Sequence, residues 1–407
     1  MELPLFRSFF IGGFECSTHC IAPGRRLDLI AATEHDRLAA RDYALLQTHG
    51  IRTARDGVRW HLIEQRPGRY DWSSVMPMIE AVRETGMQVI WDLLHYGWPD
   101  FIDPFAPEFA ARFAEFAQAF VTLHQQELIG APYLAPINEI SFFSWAGGDG
   151  GIMNPFQRGR GGELKRHMVR AAIAAAAAIR EACPAARLFQ VDPMINVLPQ
   201  RHRPEDAAAA ELYRQSQFHV WDMISGRMAP ELGGKPEYLD VIGVNYYIHN
   251  QWEYPGGHGS MIVPSDTRYR HVRDMLHELY ERYRRPMFIA ETGIEDEARP
   301  AWLRYICNEV GAAITDRVPV EGICLYPILN HPGWNDGRHC HNGLFDYADP
   351  LGKREVYLPL ATELAFQQHR LEAIRAGREP FVDTWDAANS ALDWAAHTME
   401  NRTDDAR

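Results

Sequence analysis

Short, nearly uninterrupted apolar runs alternate along the chain with longer stretches in which apolar residues recur every three or four positions. The apolar runs are Phe9–Ser17, Ile51–Val58, Met87–Leu94, Tyr133–Glu139, Arg187–Pro193, Val241–Tyr247, Met287–Glu291 and Gly322–Leu329. Runs of this length, rich in Val, Ile, Leu, Phe and Ala, are the pattern of parallel strands buried on both faces. The periodic stretches are Glu34–Thr48, Pro107–Leu128, Leu164–Ala182, Ala207–Ser225, Tyr269–Tyr283, Ala301–Thr315 and Val356–Ile374. Phe109, Phe113, Phe116 and Phe120 in the second of these keep one helical face apolar. Strand followed by helix, repeated to a count of eight strands, predicts an α/β fold and favours a closed (β/α)8 TIM barrel over a doubly wound sheet. No GxGxxG turn follows the first strand, so the dinucleotide-binding alternative lacks its fingerprint.

Three segments after predicted strands are long and rich in Gly, aromatic and polar residues: Ser141–Gly162, His249–Asp266 and Asn330–Pro350. In a barrel they all fall on the C-terminal face of the strands, where catalysis occurs. The expected organisation is one barrel domain over residues 1–376 with long βα loops. Residues 377–407 are expected to form a peripheral tail, with one last helix at Asp386–Met399 and disorder beyond it.

Charge and cysteine content narrow the function classes. With 54 acidic against 41 basic side chains, the formal net charge is −13. That field opposes binding to nucleic acid or to anionic membrane, so neither is expected as a partner. The start of the chain carries no signal-peptide pattern, and the Ala171–Ala178 run is too short and too closely flanked by Arg170 and Arg180 to span a bilayer. A cytoplasmic location is the expectation. The six cysteines show no framework spacing. Two small clusters, Cys16/His19/Cys20 and His339/Cys340/His341, are candidate ligand sets, but neither has the paired C-x2-C spacing of structural zinc. The expectation is no metal and no cofactor.

Two predicted strands end on a carboxylate. The fourth closes on Asn138-Glu139 and the seventh on Glu291-Thr292-Gly293. Desolvating a carboxylate at such a place is costly unless it is paired or functional. Two carboxylates aimed into one pocket suit glycoside hydrolysis: one protonated to help the leaving oxygen depart, the other ionised to attack the anomeric carbon.

At these strand ends the chain resembles the clan A glycoside hydrolases, and within them glycoside hydrolase family one, the β-glucosidases and β-galactosidases. Arg55-Asp56-Gly57-Val58-Arg59-Trp60, His95-Tyr96-Gly97-Trp98-Pro99, Gly243-Val244-Asn245-Tyr246-Tyr247, Trp334 and Gly343-Leu344 each echo a motif of that family, in order. The resemblance implies a retaining β-glycosidase acting on a small carbohydrate or glycoside. It implies Glu139 as general acid/base and Glu291 as nucleophile, the latter held ionised and oriented by Arg55 and Tyr247. Asn138, His95, Trp334 and Asn245 would bind the sugar. A transglycosidase would use the same residues. The competing classes are a catalytically silent sugar-binding barrel and a metal-dependent barrel hydrolase.

Two family features are missing. The segment Phe14-Glu15-Cys16-Ser17-Thr18-His19 has no Gln, and Asn330-His331-Pro332-Gly333-Trp334 has no Glu before its Trp. The residues that hold the far edge of the sugar must therefore differ from the family's. Trp145 and Trp252, on the long loops, are candidate sugar-stacking walls. For Glu15, Asp92, Asp192 and Asp336, near strand ends, local hydrogen bonding is the expected role.

Overall fold

The computed structural model describes residues 4–257, 259–384, 392, 393, 395 and 396. Eight parallel strands close a barrel: β1 (Phe10–Gly13), β2 (Thr53–Gly57), β3 (Gln88–Asp92), β4 (Tyr133–Ala135), β5 (Arg187–Pro193), β6 (Val241–Asn245), β7 (Met287–Thr292) and β8 (Val320–Leu325). Neighbours in the ring are neighbours in sequence, and β1 pairs with both β2 and β8. All eight expected strands are present. Several stop earlier than the apolar runs do. β1 ends at Gly13 rather than Ser17, and β4 ends at Ala135 rather than Glu139, because the last residues of those runs turn inward over the mouth and leave the ladder.

The helices expected from periodicity are α1 (His35–Thr48), α3 (Phe109–Glu127), α4 (Gly161–Ala182), α7 (Val272–Tyr283), α8 (Arg299–Thr315) and α9 (Leu358–Arg375). The stretch Ala207–Ser225 is not one helix. It divides into α5 (Ala207–Gln215) and α6 (His219–Ile224), joined by a tight turn at Ser216–Phe218. Besides single-turn helices, a longer one was not legible in the pattern: α2 (Met76–Thr85) joins β2 to β3. It is short and opens on Pro77 inside its first turn, where proline is tolerated.

Side-chain alternation along the strands builds two cores. Outward residues pack under the helices. Inward residues form a second cluster including Ile11, Ile90, Ala135, Val191 and Ala290, closed at the bottom by Phe6, Phe189 and Phe288. These three rings lie 5.2–5.8 Å apart. The barrel is thus a filled core, with the charged layer of the site at its top.

β2 shows what this alternation does with charge. Arg55 points inward to the mouth, and the next residue, Asp56, points outward beneath α1. There it accepts from Tyr43 Oη at 2.6 Å and meets His35 Nε2 at 2.8 Å. His35 Nδ1 meets Asp42 at 2.7 Å, and Arg354 binds Asp42 through two nitrogens. Burial opposes charge on His35, but Asp56 and Asp42 outweigh it and bring its pKa to about 9. A folded-state pKa above the ordinary histidine value of 6.5 stabilises the fold fully below about pH 6.5 and ceases to do so as pH rises through about 9. The expected loss over that window is about 3 kcal/mol. Urea denaturation at pH 6.5 and 9.5 checks this: His35→Gln flattens that pH dependence relative to wild type.

No described helix is long and apolar enough to cross a membrane. The expected last helix at Asp386–Met399 lies mostly outside the described residues. Within it, Leu392 and Asp393 and the pair Ala395 and Ala396 are helical, and Leu392, Ala395 and Ala396 are buried. Upstream, Asp383 pairs with Arg273 at 2.9 Å and accepts from Asn308.

Candidate active site

Arg55 organises the mouth of the barrel. Its guanidinium is fully buried and uses all its nitrogens. Nη1 donates to Glu291 Oε1 at 2.7 Å and to the Ala290 carbonyl at 3.0 Å. Nε and Nη2 grip Asp92 at 3.1 and 2.7 Å, and Nη2 also donates to Asn138 Oδ1 at 2.7 Å. A rigid fork of donors suits this bridging of two carboxylates and an amide. Glu291 receives a second bond from Tyr247 Oη at 2.9 Å. Strict alternation after the inward Ala290 would turn Glu291 outward. A register shift between Ile289 and Glu291 re-aims it into the mouth.

Glu139 is placed by backbone of an uncommon kind. Its φ is 45°, in the left-handed region, at the start of the short helix Ile140–Phe143. Its amide donates to the Val191 carbonyl at 3.0 Å, which pins the turn to β5. Tyr96, also left-handed with φ 65°, donates its hydroxyl to Glu139 Oε2. Two non-glycine residues in this region, side by side at the barrel mouth, are a cost found at functional sites. Burial pushes the Glu139 carboxyl up, the charge of Glu291 adds to it, and the pKa reaches about 8.

Asn138 links the two carboxylates. Its Oδ1 accepts from Arg55, so its amide nitrogen must be the donor on the other side. That nitrogen donates to Tyr96 Oη and to His95 Nε2, each at 3.0 Å. His95 is therefore the Nδ1–H tautomer, facing Asp92 at 2.9 Å and Cys16 Sγ at 3.1 Å. Burial disfavours charge on this ring, but Asp92, Glu15 and Glu291 outweigh it and raise its pKa. Asn245 lies beneath, with Nδ2 3.4 Å from Asn138 Oδ1 and its own Oδ1 buried without a partner.

Arg55, His95, Asn138, Glu139, Asn245, Tyr247 and Glu291 are thus gathered in one layer. Trp334 is half-buried at its edge, with its ring against His19 at 4.5 Å and Tyr96 at 6.0 Å. Trp145 is 48% exposed on a π-helical turn, Ser144–Gly150. Trp252 packs on Tyr213 of α5.

The weighed carboxylates divide. Asp192 accepts from the amide and hydroxyl of Ser141, and burial lifts its pKa to about 6. Asp336 caps its own turn by accepting from the Arg338 amide. Asp92 goes beyond local bonding, because it shares Arg55 with Glu291.

The sequence reading missed Tyr96 and Tyr326. Tyr326 is 3% exposed and stacks nearly parallel to His95, 6.1 Å away. It fits because Gly13 carries no side chain: a Cβ there would lie 2.2 Å from the Tyr326 ring. Gly97 similarly admits the Thr18 backbone, 2.5 Å from where its Cβ would be. Ala at position 97 is expected to push the His95–Tyr96 turn off the first-strand segment and lower the Tm by several degrees, read by a thermal melt.

The two cysteine–histidine clusters do not assemble as such. Cys16 groups with Asp92 and His95, away from His19 and Cys20, and Asp92 is already engaged by Arg55. In the other, His339 Nε2 meets Asp346 at 3.0 Å and the ring stacks on His341, while Cys340 Sγ turns to the Arg338 carbonyl.

No protein-family model matches the sequence, and no curated protein is significantly similar to it. Solved structures are similar in shape. The β-glycosidase of the hyperthermophile Thermosphaera aggregans superposes with a TM-score of 0.72 at 17% identity, covering 92% of this chain and 99% of that one. The family 1 β-glucosidase of Thermotoga maritima gives 0.71 at 16% identity, covering 91% and 98%. The chain has the family 1 β-glucosidase fold. The same T. maritima enzyme in complex with deoxynojirimycin aligns equally well, at 0.71 and 16%.

Proposed function

We propose that this protein is a retaining β-glycosidase, with Glu291 as nucleophile and Glu139 as general acid/base. One observation carries the reading: the two carboxyl groups share one mouth but occupy opposite electrostatic settings. Glu291 is bound by Arg55 and Tyr247, which suit an anion. Glu139 is kept protonated by burial and by the charge of Glu291. Acid and nucleophile are separated by environment, as this chemistry demands.

The bound glycoside presents its anomeric carbon to Glu291. Attack expels the aglycone while Glu139 protonates the leaving oxygen. Glu139, now a carboxylate, then takes a proton from water, which attacks the glycosyl ester and frees Glu291. The first step takes a proton from Glu139 and the second returns it, so the enzyme is regenerated after each turnover. Asn138, His95, Asn245 and Trp334 are read as sugar-binding groups. Asn138 would exchange one internal bond for a sugar hydroxyl. A cytoplasmic location belongs to the same proposal and is supported by six cysteines that are all free thiols. So does the division into a barrel over 1–376 and a tail over 377–407.

The pH dependence tests the acid/base role. Glu139 must be protonated in the first step, so kcat/KM is expected to fall above about pH 8 as it ionises. In Glu291→Gln the neighbouring charge is gone, and the Glu139 titration followed by carboxyl 13C NMR is expected to move to lower pH. An unmoved titration would separate the two groups electrostatically and remove the basis of the assignment.

A further inference from the structure

The loop that follows β8 brings together two histidines and an aspartate that the glycosidase reading leaves unused. His339 and His341 lie two positions apart at the end of a short strand, His339–Cys340. Their rings stack, with centroids 4.3 Å apart and planes 16° from parallel. Cys340, between them, is buried, turns its Sγ to the Arg338 carbonyl and is not part of the group. Asp346 comes from the next strand, Phe345–Ala348. Its Oδ1 lies 3.0 Å from His339 Nε2, and one ligand atom from each of the three residues lies within 4.8 Å of the other two. Metal–ligand bonds of about 2.0–2.2 Å in a tetrahedral shell put neighbouring ligand atoms roughly 3–3.5 Å apart. Small rotations of the side chains therefore close all three on one ion.

The ligands are held from behind. Asp346 accepts from Asn330 Nδ2 at 2.9 Å and from the Tyr347 amide at 2.7 Å. Burial pushes its carboxyl up, but these bonds and the neighbouring His339 outweigh this and hold it as an anion. Tyr347 sets its ring at 90° to that of His339, with centroids 4.3 Å apart. In metal sites, outer partners of this kind fix the direction of the ligands. Arg338, the cation next in sequence, is paired with Glu295 through bonds of 2.7 and 2.6 Å, so its charge is balanced. His339 and His341 are exposed and Asp346 is half-buried, so an ion reaches them without opening the fold.

We infer that His339, His341 and Asp346 bind a divalent transition-metal ion of the Zn²⁺ kind, with water completing the shell. Two imidazoles and one carboxylate suit Zn²⁺, Ni²⁺ or Cu²⁺, whereas Mg²⁺ and Ca²⁺ favour shells of oxygen alone. The site departs from the expectation of no metal, which weighed Cys340 as the third ligand and not Asp346. Its role is structural. His339–Cys340 pairs antiparallel with His331–Pro332, and the turn between them carries Trp334. An ion held by all three residues clasps the returning arm of this hairpin to Phe345–Ala348. The inference is independent of the glycosidase reading.

Calorimetric titration of the full chain with Zn²⁺ tests it, in wild type, His339→Ala and His341→Ala, with Co²⁺ as a coloured substitute. Wild type is expected to bind one ion that each variant binds at least about tenfold more weakly. The Co²⁺ spectrum of wild type minus that of His341→Ala should show ligand-field bands and no thiolate-to-cobalt charge transfer, because no cysteine is a ligand. Bound Zn²⁺ should slow amide hydrogen exchange across residues 331–346 in wild type alone. No uptake of Zn²⁺ by wild type, an unchanged affinity in either variant, or a thiolate band in the difference spectrum would overturn the site. Uptake that leaves exchange over 331–346 unchanged would overturn the clasp.

Discussion

Glu291→Ala is expected to lower kcat by roughly 10⁴–10⁶-fold, the range seen when a covalent nucleophile is removed. The loss is chemical, because the fold has little to lose there. Arg55 keeps its bidentate hold on Asp92 and its bond to Asn138 when Glu291 is gone, so its buried charge is not orphaned. Tyr247 loses one acceptor at the mouth of the barrel. The variant should therefore melt within a few degrees of wild type. Turnover of a dinitrophenyl glycoside, alongside a thermal melt, checks both halves. Residual activity within tenfold of wild type would take the nucleophile role from Glu291.

Arg55→Met is expected to damage stability and activity together. Removing the guanidinium leaves Asp92 and Glu291 buried, near each other and without their shared cation. Breaking a buried pair in this way costs about 3–5 kcal/mol. With the fork gone, Glu291 and Asn138 lose the group that fixes them both, and a displacement of an ångström costs about 10²-fold in rate. Arg55→Lys should fare little better, because one ammonium cannot reach Asp92, Glu291 and Asn138 in the plane that Arg55 uses. Denaturant titration and kcat/KM on an aryl β-glycoside measure the two effects. Adding Asp92→Asn to Arg55→Met should return part of the stability, since one of the stranded charges is then neutral. No recovery would mean that the cost is packing and not charge.

Much of this arrangement was legible from the order of residue types. Eight apolar runs gave the barrel because strands buried on both faces tolerate little else. Asn138-Glu139 and Glu291 stood out because carboxylates at the ends of such runs need a reason. What stayed hidden lies where the backbone departs from its local pattern. Glu139 and Tyr96 adopt left-handed backbone that no propensity favours. Glu291 reaches the mouth through a register shift that a two-residue alternation cannot anticipate. α2 is too short for its period to stand clear of chance. The outward Asp56 network with His35 depends on contacts between residues up to 312 positions apart, and spacing along the chain carries no sign of it. His339 and His341 were visible only as possible metal ligands beside Cys340. That Asp346 faces them instead depends on the return of the chain after the hairpin, which only the folded chain displays.

The most direct measurement is the anomeric configuration, by proton NMR, of the glycosyl azides formed when azide is added to Glu291→Ala and to Glu139→Ala. Without its nucleophile the first variant admits azide to the face opposite the leaving group, and the product is inverted. Glu139→Ala still forms the glycosyl ester on Glu291 with an activated substrate, azide then displaces it, and the product is retained. An α-azide from Glu291→Ala and a β-azide from Glu139→Ala is the result this account predicts. The same anomer from both variants would contradict it.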